Sequence, residues 1–315
     1  LISANSVSDT GLSPIVGVNA SITNSGTISI TGGTKFDVGF ATGTTGVTSF
    51  ANSGTLDVSG NLVLQQTTLT NTGSFQTVAG AKIDIIENSV LDLTADVNAV
   101  AGSTVTVGNG STTGEVSGAG TLFNAGILEL NNGTLSGNVS DSSGAVSIQG
   151  SSNLNSGVLE FGQNTTLSFS AAADKLANSG TIDVNGNSIL TVDTGTLENL
   201  AAGTINVAGT GTIALANSGI FSDSGTTNFG LSPGSLTIGG DMIRGDTASM
   251  LFELGGLTPG VGGFDQLTVT GELTAGGTLD IVEFGAFDVS TGDSFAIVET
   301  GTLTGSFREI SGLDV

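Results

Sequence analysis

Apolar and polar residues alternate in short runs along most of the chain, and one phrase introduces many of these runs: Asn, a small residue, then Gly. It reads Asn24-Ser25-Gly26-Thr27-Ile28-Ser29-Ile30, Asn52-Ser53-Gly54-Thr55-Leu56-Asp57-Val58 and Asn71-Thr72-Gly73-Ser74-Phe75. Further copies start at Asn124, Asn155, Asn178 and Asn217, with a weaker one at Ala201-Ala202-Gly203-Thr204-Ile205. Period-two alternation is the mark of a half-buried strand. Asn tolerates the left-handed region and Gly takes positive φ freely, so each phrase predicts a turn that feeds a strand.

Successive starts lie 28, 19, 53, 31, 23, 23 and 16 residues apart. A unit of about 20 to 25 residues with insertions predicts a solenoid. Short alternating runs between the copies, such as Lys82-Ile83-Asp84-Ile85 and Thr104-Val105-Thr106-Val107, predict two or three strands per coil. No long window has a helical period free of Gly and β-branched residues, and Ala171 to Ala177 is long enough only for a turn insertion or one helical turn. The fold class expected is all-β: a right-handed parallel β-helix, or β-solenoid.

Near Leu231-Ser232-Pro233-Gly234 the texture changes: Phe becomes commoner, Met242 and Met250 appear, and the strands lengthen. This divides the chain into repetitive rungs over 1–230 and a C-terminal β-segment over 231–315, either terminal rungs or a cap. Leu1 opens without Met, a basic stretch or an apolar leader, which suggests a mature or excised portion.

Composition agrees with turns and strands rather than a compact core. The 315 residues include 51 Gly, and the aromatic residues are all Phe, 15 of them. Charged residues are 10% and hydrophobic ones 37%, well away from a disordered composition. With 28 acidic against 5 basic residues the net charge of −23 opposes nucleic acid and anionic lipid. No run is long and apolar enough to insert in a membrane.

The C-terminal 85 residues carry an ordered set of short strings. They include Ser232-Pro233-Gly234-Ser235-Leu236-Thr237-Ile238-Gly239-Gly240-Asp241, Leu251-Phe252-Glu253-Leu254-Gly255-Gly256 and Phe264-Asp265-Gln266-Leu267-Thr268-Val269-Thr270-Gly271. Gly277-Thr278-Leu279, Gly292-Asp293-Ser294-Phe295 and Gly305-Ser306-Phe307 follow. This segment resembles the end of passenger regions in autotransporter-like and other large repetitive bacterial surface proteins. The resemblance implies a secreted right-handed β-helix used for adhesion, matrix building or display. Autotransporters continue into a membrane β-barrel, and no barrel strands are evident before Val315.

Parallel β-helices also include polysaccharide lyases and hydrolases, so catalysis has to be read from residues. Cys, His, Tyr and Trp are absent, and the only bases are Lys35, Lys82, Lys175, Arg244 and Arg308, widely separated. That inventory argues against an enzyme and leaves no catalytic residue to assign. Carboxylates at Asp57, Asp84, Asp92, Glu129, Glu160, Asp183 and Asp280 sit between apolar neighbours, which turns them outward. Stacked on adjacent rungs they would repel unless a cation such as Ca²⁺ bridged them. Gly260-Val261-Gly262-Gly263-Phe264-Asp265 approaches a Ca²⁺-binding glycine-rich nonapeptide and makes Asp265 the one candidate metal ligand, in a single copy with Val261 in place of Gly.

The function expected is that of an extracellular structural or adhesive β-solenoid, displayed on or released from the bacterial surface. Its partners would be host, matrix or polysaccharide surfaces. An alternative is a filament subunit that joins copies of itself end to end; a polysaccharide lyase or hydrolase is a weaker one.

Overall fold

The computed structural model describes residues 2–8, 15–18, 21–33, 35–39, 48–185, 188–208, 212–229 and 233–312. Among these residues every named element is a strand and none is a helix. The strands pair in parallel into a β-solenoid. The chain forms two compact units, 1–159 and 160–315.

In the first unit each coil from Thr48 on supplies three strands, each paired with its counterpart one coil later, while the longer strand Ile22–Ile30 pairs with both Thr48–Asn52 and Thr55–Val58. The first column contains Thr67–Asn71, Ser89–Leu93 and Gly114–Gly118. The second contains Ser74–Thr77, Val97–Ala99 and Thr121–Asn124, and the third Lys82–Ile86, Thr104–Val107 and Ile127–Asn131. Register keeps like beside like. Leu69, Leu91, Val116 and Leu135 make one inward row, and Phe75, Val97, Leu122 and Val139 another. All are buried. Each such side chain contributes about 1.5–3 kcal/mol by leaving water, so the rows together hold the coils in register.

The second unit repeats the order. Lys175–Asn178, Thr196–Asn199, Ile220–Asp223 and Met242–Arg244 form one column. Thr181–Val184, Thr204–Val207, Thr226–Phe229 and Ser249–Leu254 form the next. Thr165–Phe169, Ile189–Asp193, Thr212–Ala216 and Ser235–Gly239 form the third. Ladder pairing therefore crosses position 230, where composition changes: Ser235–Gly239 pairs backward with Thr212–Ala216 and forward with Gln266–Ala275. The Phe residues that mark this segment pack locally, with the Phe264 and Phe295 rings edge to face at 5.4 Å. Ala171 to Asp174 forms a turn closed by the Asp174 side chain, and Lys175 begins a strand.

Candidate functional site

In every copy but the exposed Asn217, the recurring Asn is buried in the solenoid. Asn24, Asn52 and Asn71 are buried and stand in register at the corner between the first and second columns. The Asn24 amide donates to Asn52 Oδ1 at 2.7 Å, and the Asn52 amide donates to Asn71 Oδ1 at 2.7 Å. Each also donates to the backbone of the next coil, as from Asn52 to the Ser74 carbonyl at 3.2 Å. A primary amide can pass on as many bonds as it accepts, so one residue type propagates the ladder.

The turn chemistry expected from sequence is corrected here. Among the Asn residues that open the phrase, only Asn217 has a left-handed backbone, with φ 51°. The Gly is required by close approach: a Cβ on Gly54 would lie 2.1 Å from the Gly26 carbonyl oxygen, and one on Gly73 would lie 2.2 Å from that of Gly54. The phrase also serves three different corners. Asn124 leads into the third column and donates to buried Asp141, its register partner one coil on, at 2.6 Å, and exposed Asn217 leads into the first column and bonds half-buried Asp193. Copies at different corners and coils of unequal length together produce the uneven spacing.

In the second unit the ladder ends in charge. The Asn178 amide donates to Asn199 at 2.9 Å, and the Asn199 amide to Asp223 Oδ1 at 2.9 Å. Asp223 has no proton to pass on. Arg244, one coil later, donates to its other oxygen at 3.2 Å, and both side chains are wholly buried. Burial pushes the Asp223 carboxyl up and the Arg244 guanidinium down, while each charge draws the other back toward its ionised form. Burial likewise raises Asp141, against hydrogen bonds from Asn124 and Ser143.

The outward carboxylates lie where alternation puts them, half-buried on the faces. Several of them accept hydrogen bonds from amides and hydroxyls, most on an adjacent coil. Asp57 accepts from Gln76 at 2.7 Å, Glu129 from Thr106 at 3.1 Å, Asp92 from Thr70 at 3.3 Å and Asp183 from Asn206 at 2.7 Å. Glu160 accepts from Asn185 and Asp280 from Ser311. Lys82 reaches Asp84 at 3.3 Å. Among the described residues no three acidic side chains come together.

Asp265 is buried in the second unit, with one oxygen accepting from the Gly234 amide and the other from the Glu253 amide at 2.7 Å. It clamps two backbone segments. Burial drives its carboxyl up to about 6, the amide bonds pull it down and the Glu253 charge adds to the rise. The basic residues are partnered too: Lys35 with Asp37 at 3.1 Å, Lys175 with Glu198 at 2.8 Å, and Arg308 with Thr278 at 3.0 Å.

One exterior feature escaped the sequence reading. Register aligns Ser29, Asp57, Gln76, Asn98 and Phe123 in a single outward row across five consecutive coils of the second column. A groove of about 300 Å³ lies at its start, lined by Ser29, Asp57, Gln76 and Val78. Phe123, further along, is 44% exposed, and Val78 is 49% exposed. The signal was present in Thr121-Leu122-Phe123-Asn124, since an inward Leu122 forces Phe123 outward; the row itself depends on register across insertions. No family model, curated protein or solved structure matches the chain.

Proposed function

We propose that this protein is an extracellular structural and adhesive β-solenoid of the kind resembled by its C-terminal strings, displayed on or released from a bacterial surface. The observation that carries the reading is the pinned polar exterior. Outward Asp, Asn, Gln and Thr are fixed coil to coil by side-chain bonds, as in the run Asp183, Asn206 and Asn228 with bonds of 2.7 and 2.9 Å. A repeated, preorganised polar face meets a large surface through many equivalent contacts and loses little side-chain entropy on doing so. The test is location: antibody to the purified chain should label unopened producing cells or their medium. Antigen detected only after lysis would overturn the proposal.

A second reading, a filament subunit, is favoured by the last described coil. Leu303 and Ile310 stand in register with buried Leu273 and Leu279, yet are 56% and 64% exposed. Another coil would cover them, and in this reading a second copy supplies it. At a net charge of −23 the copies repel, so assembly should grow with salt. Light scattering and electron microscopy across a salt series test it, and single particles at every ionic strength would exclude it.

A further inference from the structure

The row from Ser29 to Phe123 has the chemistry of a sugar-binding face, and we infer that it is a docking track for a neutral polysaccharide chain. The inference deepens the adhesive reading and rests on it. Planar Asp, Gln and Asn side chains present paired acceptors and donors of the kind that bracket adjacent sugar hydroxyls. Gln76 donates to Asp57 at 2.7 Å, which fixes two of them relative to each other before any ligand arrives. Asn98 and Gln76 are both exposed. Phe123, followed in register by Ser140 on the next coil, adds an exposed ring to the row, whose negative face attracts the polarised C–H groups of a pyranose.

Shape and charge narrow the partner. The row runs across the strands, one residue per coil, with a step of about 4.8 Å set by strand spacing. It is a line of similar positions, suited to an extended chain of repeating units rather than to a compact molecule. The groove beside Asp57 and Gln76 gives that chain one recessed seat, with Val78 as an apolar wall. Neither Lys nor Arg stands in the row, and the whole chain carries −23, so an anionic polysaccharide would be repelled. A neutral glycan fits the hydroxyl-matching groups without that penalty.

Affinity electrophoresis of the full chain through gels containing a soluble neutral β-glucan, a neutral mannan, or alginate as the anionic comparison tests the inference. Retardation is expected in at least one neutral gel and not in alginate. Phe123→Ala and Asn98→Ala should each weaken it at least tenfold with an unchanged melting curve, because both side chains are exposed. Ser151→Ala, at an exposed bend outside the row, should leave it unchanged. Free migration in both neutral gels, or retardation that Phe123→Ala and Asn98→Ala leave intact, would overturn the assignment. Surface labelling of unopened cells is read separately, so a failed sugar track and a failed extracellular reading give different results.

Discussion

Arg244 and Asp223 form an ion pair of 3.2 Å with both side chains sealed from solvent, at the point where the amide ladder of the second unit meets an acid. The guanidinium also bonds the Gly276 and Thr278 carbonyls of the following coil at 3.4 and 3.3 Å, so it ties three coils together. Removing one partner of such a pair leaves a buried charge uncompensated, which costs about 3–5 kcal/mol. Arg244→Met should therefore lower the melting temperature strongly. Adding Asp223→Asn should recover part of the loss, since an amide can continue the ladder from Asn199. A double variant as unstable as the single one would show that Arg244 acts through its packing alone.

The neutral part of the ladder makes a different prediction. Asn52 accepts from Asn24 and donates to Asn71, so Asn52→Asp keeps the acceptor, loses both donors and brings in a buried charge. A loss of more than about 3 kcal/mol is expected. Asn52→Leu should cost less, about 1–3 kcal/mol, because it strands neighbouring amides without burying a charge. Buried Leu93 already stands in register with Asn71 one coil later, at the same inward position of the first column. Chemical denaturation of the two variants gives the order, and a reversed order would mean that the ladder amides are not held as described.

Two glycines separate the two reasons for using glycine. Gly54 meets the Gly26 carbonyl at 2.1 Å, whereas Gly80 has φ +87° and nothing within 4 Å of an added Cβ. Gly80→Ala should cost about 1 kcal/mol in backbone strain. Gly54→Ala should cost several times more, because coils on both sides must separate to admit the methyl group. Equal melting temperatures would contradict the close stacking at this corner.

Alternation carried the strands, their inward residues and the outward acids, because a period of two leaves each side chain only one of two faces. Ile182 is buried and its neighbour Asp183 lies outward as the pattern requires. What alternation could not carry is pairing across coils. Asn24 and Asn52 are 28 residues apart and Asn52 and Asn71 only 19, yet both pairs are in register. Insertions therefore hide the rows, and with them the Asn ladder and the line from Asp57 to Phe123. The lone acid in the glycine-rich stretch was visible as a candidate ligand. That both oxygens of Asp265 accept backbone amides depends on Gly234 and Glu253, distant in sequence, and so was not.

The same register can be tested on Ile182 and Asp183. Ile182→Asp places a carboxylate in a fully buried row between coils and should unfold or severely destabilise the neighbouring rungs. Asp183→Asn stays outward beside Asn206 and should shift the melting temperature by a degree or two at most. Similar losses from the two substitutions would place the wrong face inward.

Acidity should stabilise the fold, and Asp265 provides the means to see why. Its carboxyl rises from an ordinary 3.8 to about 6 in the folded chain, so the folded state holds a proton that the unfolded state has released between those values. Stability from this group is complete below about pH 4 and is lost as pH climbs through about 6. Two pH units at about 1.4 kcal/mol each make the effect on the order of 3 kcal/mol. Asp141 and Asp223 are raised as well and add the same sign. The net charge of −23 acts in the same direction, because protonation reduces self-repulsion. The variant Asp265→Asn isolates one group from that background. It should melt lower at every pH, since an amide cannot accept from both the Gly234 and Glu253 backbones, and its stability should fall less steeply between pH 4 and pH 7 than that of the parent. Parallel curves for the two proteins would mean that Asp265 is ionised throughout and that the acid dependence comes from charge repulsion and the other buried acids.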